Sequence, residues 1–131
     1  WPNIFRTARF LSAVDHVQLD RLRYRVMLAL DALFKEIDVL IGPYATGPML
    51  VASNFTGHPC LHLRAGFSDQ ATRANASPVA GGHTGASAQA FTVPQGISLW
   101  SGLFDEGKAL AVGLALEREL GVSHRRPHIV A

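Results

Sequence analysis

The sequence predicts an α/β domain, and three observations carry that expectation. A long stretch free of Gly and Pro repeats apolar residues at helical spacing, short aliphatic runs punctuated by Gly and Pro follow it, and a second helical stretch stops at a glycine. The 131 residues suit one domain. A chain of this size can bury roughly two-thirds of the surface that its unfolded form exposes. Apolar residues make up 48% and charged residues 17%, which argues against disorder.

The elements follow in order. Ser12-Ala13-Val14-Asp15 fits a helix start, with serine capping and an acid near the positive end. From there to about Glu36, Leu19, Leu22, Val26, Leu30, Leu33 and Ile37 recur at steps of three and four. Asp20, Arg23, Asp31 and Lys35 fall largely elsewhere. Asp38-Val39-Leu40-Ile41-Gly42, closed by Pro43, reads as a strand buried on both faces. Pro48 to Phe55 suits a short helix ended by Gly57, with Pro59 preventing continuation. Cys60 to Arg64 is a second strand, and helix, strand, crossover and strand together imply some parallel pairing.

Residues 68–90, rich in Ala, Ser, Thr, Gly and Asn, read as a flexible loop. Ile97, Leu99 and Trp100 mark a third strand. Asp105 is positioned to cap a final helix that runs to about Leu120 and stops at Gly121. Ala109, Val112, Leu116 and Leu120 line one of its faces. No internal repeat is visible.

Charge and ends narrow the function classes. Twelve Lys and Arg against ten Asp and Glu leave a net charge of +2, too little for a phosphate-binding surface, so nucleic acid is not expected as a partner. No apolar run reaches the ~20 residues of a membrane span, and no membrane partner is expected. Cys60, the only cysteine, implies no oxidising compartment, and a cytoplasmic setting is expected. Trp1 opens a segment with no signal-peptide pattern, as though the sequence begins inside a longer one.

Chemistry-bearing constellations are few. His58, Cys60 and His62 alternate, so a strand would point them to one face as a conceivable metal set. Pro59 interrupts the set and no fourth ligand is evident, so packing and hydrogen bonding are the expected roles, with no metal. Gly81-Gly82-His83-Thr84-Gly85 lacks the Lys-Ser/Thr ending of a phosphate loop and reads as a turn. No Gly-x-Ser-x-Gly elbow occurs, and Gly85-Ala86-Ser87-Ala88-Gln89 lacks its second glycine. The carboxylates at Asp105-Glu106 and at Glu117 and Glu119 suit helix capping or a solvated face.

Several separated stretches nevertheless resemble the amidase-signature family. They are Ser12 to Gln18 with Arg21-Leu22-Arg23, then Phe34 to Pro43, then Asn54-Phe55-Thr56-Gly57-His58-Pro59, similar to an N-x-T-G-x-P element. Val93-Pro94-Gln95-Gly96-Ile97 with Phe104-Asp105-Glu106, and Arg126-Pro127 near the end, complete the order. The resemblance covers most of residues 1–131 apart from 68–90. It implies the carboxy-terminal segment of one large α/β/α domain with a mixed sheet, in a hydrolase of carboxylic amides that needs no cofactor. It further implies a nucleophilic serine, a second serine in a cis peptide and a lysine base. The family carries these in its first half, so no catalytic residue is expected here. Lys35 and Lys108 are the only lysines and neither adjoins a Ser-Gly run.

On this resemblance Asn54 ties a turn, Thr56 completes the motif, Gly57 supplies a positive φ and Pro59 halts the helix. Pro43, Tyr44 and Thr46, after a strand, are expected to border the substrate pocket, a structural turn being the alternative. Leu63-Arg64-Ala65-Gly66 departs from the family, which often has a proline there. The expected partner is the preceding part of the same domain. A non-catalytic interaction module, or half of a split assembly that self-associates through an exposed sheet edge, is the alternative.

Overall fold

A computed structural model of the chain describes residues 2–44, 47–71 and 90–126. Four helices and three strands are present among them: α1 (Pro2–Ala8), α2 (Ala13–Glu36), β1 (Leu40–Pro43), α3 (Gly47–Thr56), β2 (Cys60–Ala71), β3 (Ala90–Trp100) and α4 (Glu106–Leu120). The chain is thus α/β. α1 has no counterpart among the sequence expectations.

Local chemistry accounts for most boundaries. Ser12 is the N-cap of α2 and accepts the Asp15 N–H at 3.0 Å, while its hydroxyl donates to the Asp15 carboxylate at 2.7 Å. α3 ends at Gly57, whose φ of 83° is open to glycine and whose N–H reaches the Ser53 carbonyl at 2.8 Å. α4 ends in the same way at Gly121, with φ 62° and an N–H to the Glu117 carbonyl. Asp105 occupies the N-cap of α4 but its side chain caps nothing, because its carboxylate is taken by Lys108 at 2.9 Å.

The sheet order is β1-β3-β2, with both outer strands antiparallel to β3. The expected parallel pairing is absent among the described residues. β1 and β2 do run the same way across the α3 crossover, but β3 inserts between them and takes both sets of hydrogen bonds. β1 is therefore an edge strand that alternates between half-buried and exposed, with Ile41 52% exposed, and not a strand buried on both faces. The expected loop also shrinks from both ends. Ser68 to Ala71 pair with Ala90 to Val93 as the arms of a hairpin, because backbone pairing across a continuing ladder needs no particular side chain. Residues 72–89, with the glycine cluster and Ser87, lie outside the described residues, as do Thr46 and Pro127.

The core sits where β3 ends. Leu99 and Trp100 are fully buried, and Trp100 pairs with Leu40 on one side and Cys60 on the other. Its indole N–H donates to Ser53 Oγ of α3 at 3.3 Å. α4 lies on β2, and a Cβ added at Gly113 would collide with the Leu61 side chain, so glycine sets that approach. α2 meets α3, but no α2 residue is fully buried. Of its predicted face, Val26, Leu30 and Ile37 are half-buried, whereas Leu19, Leu22 and Leu33 stay exposed.

Candidate functional site

The site is built around the short end of the sheet, where β1 passes the β2–β3 hairpin. Pro43 ends β1, and the following Tyr44 is pinned by its N–H to the Gly96 carbonyl at 3.1 Å. Gly96 permits that approach: an added Cβ would sit 3.2 Å from the Leu63 carbonyl and 3.3 Å from Tyr44 Cβ. Opposite, β2 carries an extra residue, Ala65, between the pairs Arg64–Gly96 and Gly66–Gln95, and this bulge re-aims the strand. The result is a cleft of about 360 Å³ lined by Tyr44, His62, Leu63, Arg64, Pro94, Gln95 and Gly96.

Its polar groups are individually placed. His62 meets the Tyr44 ring edge-on at 5.4 Å and 77°, and its Nδ1 lies 2.8 Å from Ser98 Oγ. Gln95 donates its amide to Ser68 Oγ at 2.9 Å. Arg64 donates from Nη2 to the Ser123 carbonyl at 2.6 Å and lies over the Phe67 ring at 5.4 Å.

The alternating His58, Cys60 and His62 do not act as a set. His58 is buried, stacks on Phe34 at 5.6 Å and contacts Thr56 Oγ1 through Nδ1 at 2.7 Å. The Thr56 hydroxyl already donates its only proton to the Ala52 carbonyl at 2.7 Å, so His58 Nδ1 must be the donor. Burial holds the His58 pKa below its ordinary value, with Asp31 opposing. Cys60 Sγ lies 3.6 Å from His62 Nε2, but burial pushes its thiol pKa up, against the pull of the Trp100 side chain. A thiol so held stays protonated and is a poor nucleophile. His58 serves α3 while His62 serves β3, and no group of three metal-binding side chains occurs among the described residues.

The sequence-expected residues fall in different places. Tyr44 lines the cleft, Pro43 is the exposed end of β1 and Thr46 is outside the described residues. Gly57 has its positive φ, Thr56 is buried, and Pro59 precedes β2. Asn54 ties no turn, because it lies exposed within α3. Gln95 and Gly96 join the cleft although the sequence places them only in the Val93–Ile97 stretch. Their signal is a Pro-Gln-Gly break inside a β-rich run, where a neighbouring backbone comes close.

Neither lysine suits a proton-abstracting role. Lys35 pairs with Asp31 at 2.7 Å. Lys108 bridges Asp105 at 2.9 Å and Asp38 at 3.0 Å, and hydrogen bonds to Asp105 and then Asp38 raise its pKa, the wrong direction for a base. Among the described residues no helix is long and apolar enough to cross a membrane. Comparisons with protein-family models, curated proteins and solved structures give no match for this chain.

Proposed function

We propose that this chain is the carboxy-terminal part of an amidase-signature hydrolase, acting on carboxylic amide C–N bonds and inert when alone. The nucleophilic serine, the bridging serine in a cis peptide and the lysine reside on preceding polypeptide. There the neutral lysine accepts a proton relayed through the bridging serine, and backbone N–H groups hold the developing oxyanion. Pro43, Tyr44 and Thr46 border the substrate pocket of the assembled enzyme, and no cofactor takes part. Free Cys60 suits a cytoplasmic setting.

One observation carries the reading beyond sequence resemblance. α2 is apolar on two opposite sides. One side faces α3, and on the other Val14, Val17, Tyr24 and Leu28 form a stripe interrupted only by Arg21, each apolar member at least half exposed. A helix apolar on both sides belongs inside a larger body. Phe104 adds to this: it is 92% exposed and held at φ 62°, a conformation that costs a bulky residue about 1–2 kcal/mol. The preceding part of the domain covers these surfaces.

The test is coexpression with the encoded polypeptide upstream of Trp1, followed by assay on aliphatic and aryl amides. Hydrolysis restored only in the complex supports the proposal. An upstream sequence with no Gly- and Ser-rich stretch and no lysine refutes it, as does amide turnover by the homogeneous chain. The exposed edge of β1, with Ile41 52% exposed, favours a second reading, a non-catalytic interaction module that self-associates through that edge. A complex that forms without any hydrolytic activity selects that one.

A further inference from the structure

We propose that the cleft between Tyr44 and the β2–β3 hairpin binds the carboxylate of a small organic molecule, with Arg64 as the recognising residue. The inference goes beyond the amidase reading and does not depend on it.

The cleft of about 360 Å³ is of a size that takes small ligands, and Tyr44, His62, Arg64 and Gln95 face it without a single carboxylate. Leu63, Pro94 and the Tyr44 ring offer an apolar bed for the body of a ligand.

Among the described residues no carboxylate lies within ion-pair distance of Arg64. Its one hydrogen-bond acceptor among the described residues is the Ser123 carbonyl, and its Nε is closed to water with no acceptor there. Arg125 brings a second guanidinium over the same Phe67 ring at 4.2 Å, again with no carboxylate partner among the described residues. Glu117 shares only the separate cavity on the α4 side with Arg64 and makes no ion pair with it.

A half-buried guanidinium that faces no carboxylate is short of compensation for its charge, and two planar carboxylate oxygens fit the fork of its terminal N–H groups. The Ser123 carbonyl and the Phe67 face already hold the side chain, so little further ordering is needed on binding. The terminal N–H groups that the Ser123 carbonyl does not use are those left for a ligand. The Gln95 amide stands beside them as a neutral donor.

The test is a titration of the ¹⁵N-labelled chain with sodium acetate, succinate and benzoate at constant ionic strength, following the Arg64 Nε–H and Gln95 side-chain resonances. Acetamide and benzamide are the neutral controls, and inorganic phosphate is a separate arm. Saturable shifts with the carboxylates and none with the amides are expected. Arg64→Gln should weaken binding on the order of 10- to 100-fold, the worth of a charge-assisted hydrogen bond. Because Arg64 also latches Ser123, Gln95→Met provides a second variant that leaves the latch in place, and it should weaken binding by a smaller factor. Absence of saturable shifts, unchanged affinity in both variants, or phosphate binding as tightly as benzoate would each overturn the assignment. Amide hydrolysis is not read here, so failure leaves the amidase proposal separately testable.

Discussion

Replacing Trp100 with alanine removes the largest buried side chain of the described core. Trp100 is 1% exposed, and the only other fully buried apolar residues described are Leu99 and Ala109. An indole of this kind buries about 200 Å². At about 25 cal/mol per Å² that is about 5 kcal/mol, an upper figure because the unfolded chain is partly compact. Truncations of buried aromatics in other proteins cost about 3–5 kcal/mol, so about 4 kcal/mol is expected here. Trp100→Phe separates packing from the polar contact. It deletes the 3.3 Å bond to Ser53 Oγ, whose hydroxyl still donates to the Leu50 carbonyl, and should cost about 1–2 kcal/mol. Urea unfolding followed by far-UV circular dichroism reads both. With a slope near 2 kcal/mol per molar, the alanine midpoint should fall by about 2 M. A fall of less than about 0.5 M at unchanged slope would refute the placement of the core at the end of β3.

Three further outcomes follow from local geometry. Gly96→Ala must push on the Leu63 carbonyl and on Tyr44, and should cost about 1–3 kcal/mol while shifting the Tyr44 amide resonance; a neutral substitution would contradict the close approach. Gly57→Ala forces a side chain to φ 83° and should lower stability by about 1 kcal/mol or more in the same urea assay, although the space beside it is empty. His58 is kept neutral by burial, so the folded state binds its proton less readily than the unfolded state. Its contribution is therefore complete above the unfolded value of about 6.5 and is lost as pH falls from there toward the lower folded value. Stability measured against pH should drop in that window for the native chain, and His58→Gln should flatten the drop.

What could be read from the sequence was local. The Ser12 cap, the period of α2, the stop at Gly57 and the stop at Gly121 each depend on residues within one turn of one another. What was misread depended on partners far along the chain. Leu40 and Ile41 look like an interior strand until β3 occupies one edge and leaves the other open. Ser68 to Ala71 look like loop because their residues have weak strand preference, yet the ladder with β3 holds them. Asp105 sits where a cap belongs, but Lys108 is one turn away and takes its carboxylate. The cleft was half legible: the strand-end rule reached Tyr44, and Arg64 stood out as a departure from a proline pattern. Gln95 and Gly96 join them only through the β2–β3 register, which the Ala65 bulge sets and no local pattern announces.

The order β1-β3-β2 also has a consequence in time. The strand that joins the sheet is the last of the three described strands to leave the ribosome. Until β3 has emerged, from Ala90 onward for β2 and from Ile97 onward for β1, Cys60–Ala71 and Leu40–Pro43 have no ladder to join and wait as open edges. Closure requires contacts across as many as sixty residues, from Leu40 to Trp100, so its entropy cost falls on one late step. Synthesis stalled before β3 should yield a nascent chain that clumps more than one stalled beyond α4.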